Sequence, residues 1–321
     1  MTWFDKAQPF LILLSVGVGV ALAQISWITE LAPSVIVPLL ASMLYATFLP
    51  LPLKNFGQTL RKPKVVLASL ATNFIWTPIF AWILGAVFLR DAPDLWVGLI
   101  MLMVTPCTDW YIVFTGVACG DVMLAAALLP INLILQVILL PMYLLISAGT
   151  LVEVNPNQLL ESVFLVLLIP LLAAVISRNL MLWKKGQSWI EKMSSKIALV
   201  QILSLNLAVV SIFASEGNAL VQNPNLLLKI FVPVCLFFLI NFIVAYRVGR
   251  YLKFSYEEFA CFSCTTLARN SPLSLAIAAS AFPHQPLIAL TLVIGPLIEL
   301  PIMVFISQSL LRIRQRGQWQ T

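Results

Sequence analysis

VMLAAALLPINLILQVILLPMYLLISA, residues 122–148, carries no charged side chain along its whole length. A helix needs about 20 predominantly apolar residues to cross the hydrocarbon core of a bilayer, and this run is longer than that. Its two amide side chains, Asn132 and Gln136, are four residues apart and so lie on one helix face. Comparable runs extend outward on both sides, at 9–27, 32–51, 65–89 and 95–118 before it and at 158–177, 196–214, 226–246, 256–281 and 286–310 after it. The reading is an all-α integral membrane protein of ten transmembrane helices, with 1–321 forming a single transmembrane domain. The composition agrees. Of 321 residues, 61% are hydrophobic and 10% charged, whereas soluble domains are about a quarter charged. An ordinary soluble enzyme is excluded, and the breaks between runs are too short to hold a soluble domain.

Lys and Arg concentrate in cytoplasmic loops of membrane proteins. Here 16 of the 19 cations fall at the termini and in alternate loops: Lys6; Lys54, Arg61, Lys62 and Lys64; Arg178, Lys184, Lys185, Lys192 and Lys196; Arg247, Arg250 and Lys253; Arg312, Arg314 and Arg316. The opposite side has Arg90 and Lys229, and Arg269 lies inside a span. The expected location is the cell membrane, multi-pass, with both termini cytoplasmic. The net charge of +6 is therefore a topology signal, not a nucleic-acid surface. Cleavage after Ala21-Leu22-Ala23, as from a signal peptide, would leave nine spans and spoil the alternation. Five cysteines, Cys107, Cys119, Cys235, Cys261 and Cys264, sit in or at the ends of spans, an odd number that does not describe a disulfide framework.

Ten spans with both ends on one side divide into five plus five, the second half inverted relative to the first. Repeat 1 covers about 9–148 and repeat 2 about 158–310. An offset of 163 residues carries the Arg90–Trp96 loop onto Lys253–Phe259, Cys107 onto Asn270 and Gln136 onto Glu299. Pro106 in helix 4 and Pro272 in helix 9 mark breaks at corresponding places, because proline removes a backbone donor and disfavours helix in the residue before it. Paired broken helices in inverted-repeat carriers meet near the bilayer midplane and form the substrate and ion sites. The expected architecture is a five-plus-five inverted repeat with broken, crossing helices 4 and 9.

The most polar stretches inside any span flank those breaks: Thr105-Pro106-Cys107-Thr108-Asp109 and Thr265-Thr266-Leu267-Ala268-Arg269-Asn270-Ser271-Pro272-Leu273-Ser274. Helix 10 adds Glu299 between Pro296 and Pro301. Ionisable groups at membrane depth are costly and mark pathways or partners. Candidate substrate-binding residues are Cys107, Thr108, Arg269, Asn270, Ser271 and Glu299. Arg269 and Asp109 are expected either to pair across the crossing or to divide, with Arg269 on an anionic substrate and Asp109 on an ion. Cys261 and Cys264 precede the second break and read as packing, and His284 as a loop residue. An intramembrane enzyme would need a nucleophile with its base or a set of metal ligands. One loop histidine and scattered serines supply neither, and no cofactor is expected. A self-contained repeat argues for a carrier over a channel.

The run PCTDWYIVFTGVACGDVMLAAALLPINLILQVILLPMYL, 106–144, resembles the helix 4 to helix 5 region of arsenite permeases in the bile acid, arsenite and riboflavin transporter superfamily. GPLIELPIMV, 295–304, is similar to the same family's Gly-x-Leu-x-Glu-x-Pro-x-Met signature. The resemblance implies arsenite efflux by alternating access. It gives Cys107, whose thiolate suits thiophilic trivalent arsenic, and Glu299 the roles associated with activity. By analogy with the sodium symporters of the superfamily it also implies Thr108, Asn132, Gln136, Asn270 and Glu299 as ion ligands, with sodium or a proton as coupling ion. The alternative is a sodium-coupled symporter of an organic anion. The chain departs from the arsenite-permease pattern at Asp109, where a small residue is usual, and at Ala268-Arg269-Asn270-Ser271-Pro272, where an Ala-Ser-Asn-aromatic stretch is usual. The implied partners are a small-molecule or metalloid substrate and the lipid bilayer.

Overall fold

The computed structural model describes residues 3–50, 62–108, 110–149, 151–152, 155–222, 225–317 and 319. Every regular element among them is helical: α1 (Trp3–Leu22), α2 (Ser26–Phe48), α3 (Pro63–Phe88), α4 (Pro93–Met103), α5 (Trp110–Val117), α6 (Val122–Ser147), α7 (Pro156–Lys184), α8 (Gln187–Gln222), α9 (Asn225–Tyr251), α10 (Tyr256–Leu267), α11 (Ser271–Ala281) and α12 (Pro286–Gln315). Seven of these, α2, α3, α6, α7, α8, α9 and α12, are long and apolar enough to cross a membrane. The first expected span contains a shorter apolar helical stretch, Phe10–Leu22. The fourth and ninth are each two helices with a non-helical gap, as the prolines required. Several helices outrun their apolar segments: α2 begins at Ser26 instead of 32, and α8 at Gln187 instead of 196. Helical hydrogen bonding does not stop where hydropathy does, since polar first turns can continue a helix into the interface.

The helices fall into two compact units. The first comprises Met1–Leu51, Val154–Leu226 and Pro272–Val293. In it α2 and α1 both lie against α8, and α7 lies against α2. Inside a bilayer the hydrophobic effect does not drive helices together, so close backbone approach and interhelical hydrogen bonds carry the association. Gly19 shows the first: a Cβ there would sit 2.6 Å from both the Phe213 Cβ and the Val210 carbonyl oxygen. Ser15 shows the second, donating to Asn206 at 2.8 Å.

The second unit comprises Pro52–Glu153, Leu227–Ser271 and Ile294–Thr321. Here Gly85 lets α3 close on the Trp96 indole of α4, whose ring atoms lie 1.9 Å from where a Cβ would be. The start of α10 is fixed by a capping box in which Ser255 accepts from the Glu258 N–H and Glu258 accepts from the Ser255 N–H. Asp121 caps α6 by accepting from the Leu124 N–H at 2.9 Å. Lys62 pairs with Glu258 and Arg314 with Glu257, while Lys229 pairs with Asp91. The Glu258 carboxylate raises the Lys62 ammonium above its ordinary value, and the Lys229 hydrogen bond lowers the Asp91 carboxyl.

Candidate functional site

The gaps in the fourth and ninth spans lie side by side in the second unit. Pro106 and Arg269 form an isolated antiparallel bridge. The Cys107 N–H donates to the Ala268 carbonyl at 3.0 Å, and the Asn270 N–H donates to the Thr105 carbonyl at 2.7 Å. The bridge partners differ by 163 in residue number, the same offset at which the sequence reading lays one half over the other. The two hydrogen bonds are likewise exchanged by that offset.

Each gap has a local cause. Pro272 has no N–H to give, and its ring would collide with the Ala268 carbonyl four residues back in a continuous helix; Ala268 is extended instead, at φ −69° and ψ 137°. Pro106 acts in the same way on Leu102 and disfavours helix at Thr105. Both breaks expose the last four carbonyls of a helix, which need donors. At the end of α10 the accounting closes. The Cys264 carbonyl accepts from the Ala268 N–H and the Thr265 carbonyl from the Asn73 side chain at 3.2 Å. The Thr266 and Leu267 carbonyls accept from the Arg269 guanidinium. At the end of α4 it closes again: Ile100 accepts from the Val104 N–H, Met101 and Leu102 from the Thr105 hydroxyl, and Met103 from Arg269 Nη1 at 2.8 Å.

Arg269 is thus 3% exposed and gathers two helix ends. Its Nη2 also donates to Asn73 Oδ1 at 3.2 Å, and its guanidinium carbon lies 5.2 Å from the centroid of the Phe237 ring on α9. Its own backbone N–H donates to Glu299 Oε1 of α12 at 2.8 Å. Glu299 is buried at 4% exposure, so a carboxyl group and a guanidinium share this interior.

The structure brings several sequence-derived candidates together. Asn270 donates to the Thr108 hydroxyl at 3.3 Å, and Cys107, Thr108, Asn270 and Ser271 are all buried around the paired gaps. Asn132 on α6 donates to the Thr265 hydroxyl at 3.3 Å. Its carbonyl oxygen and both amide atoms of Gln136, one turn along, are buried with no hydrogen-bond partner among the described residues. Asp109, expected to brace Arg269 or to hold an ion, lies outside the described residues. Two residues of the constellation were absent from the candidates. Asn73 lies in a π-helical turn of α3, Thr72–Trp76, a distortion frequent at functional sites. A lone amide in an otherwise apolar span was the signal that could have found it. Thr265 was visible only as one hydroxyl among many.

Residues 37–223, more than half of the chain, match the model of the Sodium Bile acid symporter family. The arsenical-resistance protein Acr3 of Corynebacterium glutamicum is 26% identical over 332 aligned residues, covering 97% of this chain and 90% of that one. The Acr3 protein of Alkaliphilus metalliredigens is 25% identical, covering 82% of this chain and 77% of its own. The uncharacterized sodium-dependent transporter YocS of Bacillus subtilis is 24% identical, covering 80% and 76%. These findings make the chain a membrane transporter and not an enzyme, and it belongs to the Sodium Bile acid symporter family.

Proposed function

We propose that the protein is a secondary active carrier that exports trivalent arsenic as arsenite by alternating access around the paired gaps of the fourth and ninth spans. The observation that carries this reading is the antiparallel junction at Pro106 and Arg269, with Cys107, Thr108 and Asn270 buried around it. A thiol on a broken helix offers trivalent arsenic a soft ligand beside backbone that can rearrange. The similarity to the two Acr3 proteins supports the substrate. Ten spans in a five-plus-five inverted repeat fit the 163-residue relation across the junction. Each compact unit also draws on segments of both halves. Both termini are cytoplasmic on this reading, as the distribution of Lys and Arg requires.

Glu299 is the coupling group, cycling between charged and neutral or holding a cation. Asn132 and Gln136 are a second polar pair able to accept an ion, because their buried oxygens have no partner among the described residues. The likeness to YocS, described as sodium-dependent, supports sodium as one coupling ion. That pair also favours the second reading, a sodium-coupled symporter of an organic anion. Arg269 speaks against it, since a guanidinium engaged by three carbonyls and Asn73 is committed to the protein.

The test is uptake by everted membrane vesicles carrying a sodium or a proton gradient and offered arsenite, antimonite or a panel of organic anions. Gradient-dependent arsenite accumulation is expected. Accumulation of an organic anion with no arsenite uptake overturns the reading.

A further inference from the structure

We infer that Arg269 is a built-in cation, filling with its guanidinium a carbonyl site between the ends of α4 and α10 that would otherwise take a free monovalent cation. In carriers with interrupted helices, unwound carbonyls and half-helix C-terminal ends are the groups that coordinate sodium. Here the oxygens around one buried positive charge are of that kind: the carbonyls of Met103, Thr266 and Leu267, and Asn73 Oδ1. All four are neutral. The Phe237 ring adds its negative face. Two helix C-termini, each the negative end of a helix dipole, point at the same group. Glu299 supplies one formal negative charge nearby through the Arg269 N–H, so the local charge balances without a further ion.

A guanidinium keeps its charge in proteins and, being tethered, cannot leave with a gradient. Sodium therefore does not bind at this junction. Any ion that drives transport acts away from these four oxygens, at the Glu299 carboxylate or at Asn132 and Gln136. The cation holds the two helix ends to one another in this structure. The inference concerns the same junction as the proposed transport site but does not depend on arsenite being the substrate.

The experiment uses the purified full chain in detergent, as wild type, Arg269→Lys and Arg269→Ala. Melting is followed in sodium, potassium or N-methylglucamine chloride at one ionic strength, with and without 10 mM guanidinium chloride, a probe concentration of roughly the order at which a weak site fills. Arg269→Ala should melt lowest in N-methylglucamine and rise by about 5 °C with sodium or guanidinium. Wild type and Arg269→Lys should show no such increment, because the site is already filled. If Arg269→Ala can be recovered folded only when sodium or guanidinium is present, that also supports the inference. Failure to recover it in any of these salts overturns it. So does an alanine variant that responds to every cation as the wild type does. Absence of arsenite transport by the wild type, with the alanine variant still responding to sodium and guanidinium, would instead strike at the proposed substrate and leave the tethered cation standing.

Discussion

The carboxylate of Glu299 holds the backbone N–H of Arg269 at 2.8 Å, which ties α12 to the gap between α10 and α11 through the main chain of Arg269 and not through its guanidinium. A hydrogen bond to a carboxylate is roughly twice as strong as one to a neutral acceptor. Neutralising Glu299, by a proton or a bound cation, therefore loosens the strand that pairs with Thr105 and Cys107. That links the charge of one side chain to the geometry of the junction.

Glu299→Gln should keep the fold, because the amide oxygen can still accept from the Arg269 N–H, and should abolish gradient-driven transport while substrate still binds. Counterflow and binding measured beside gradient-driven uptake in the same vesicles check this. Gradient dependence equal to that of wild type would remove Glu299 from coupling.

Cys107→Ser should abolish arsenite resistance in cells with membrane levels unchanged. The Cys107 hydrogen bond to Ala268 uses its N–H and survives the change, so only the thiol is lost. Cys235→Ser, at a half-buried site on α9, should be silent in the same growth assay. Full resistance in Cys107→Ser would take the thiol out of the mechanism.

Asn73→Ala strips the Thr265 carbonyl and one Arg269 N–H of their partners. A buried group left without its partner costs about 1–3 kcal/mol, and a drop in melting temperature is expected together with slower transport. Asn73→Asp, which keeps an acceptor for Arg269 but loses the donor to Thr265, should fall between the two. Equal melting of Asn73→Ala and wild type would show that the α3 contact contributes nothing.

Trp319 stacks on Phe259 with centroids 3.8 Å apart, donates to the Phe254 carbonyl at 2.9 Å and receives Arg250 over its ring at 5.2 Å. It covers the foot of α10, where the capping box sits. Trp319→Ala should cost about 3–5 kcal/mol, and Trp319→Phe, which keeps the stacking and loses the donor, about 1 kcal/mol. Thermal melts of the three proteins give the comparison.

The raised ammonium of Lys62 predicts a pH effect of definite sign. A folded-state value above the unfolded one contributes stability that is fully present below about 10.5 and is lost as pH rises through the folded value. Because the pair with Glu258 is solvent-exposed, the contribution is under about 1 kcal/mol and shrinks with salt. Melting followed from pH 9 upward should show wild type losing a small increment that Lys62→Met lacks.

Hydropathy alone located the apolar runs, because crossing a bilayer imposes a length on each one, and Pro106 and Pro272 alone located both gaps, because proline removes a donor wherever it falls. The burial of Glu299 was legible in the same way, from a residue type that is costly in lipid. What the gaps do to each other was settled only in three dimensions. Arg269 read as half of an ion pair or as a substrate clamp, since a sequence displays charges and hides carbonyls. Every residue has a carbonyl, and none of them signals that its hydrogen-bond partner has been taken away. Only folding shows which carbonyls a broken helix leaves open. Here those of Met103, Thr266 and Leu267 converge on one guanidinium, and a π turn in α3 brings Asn73 to complete the set.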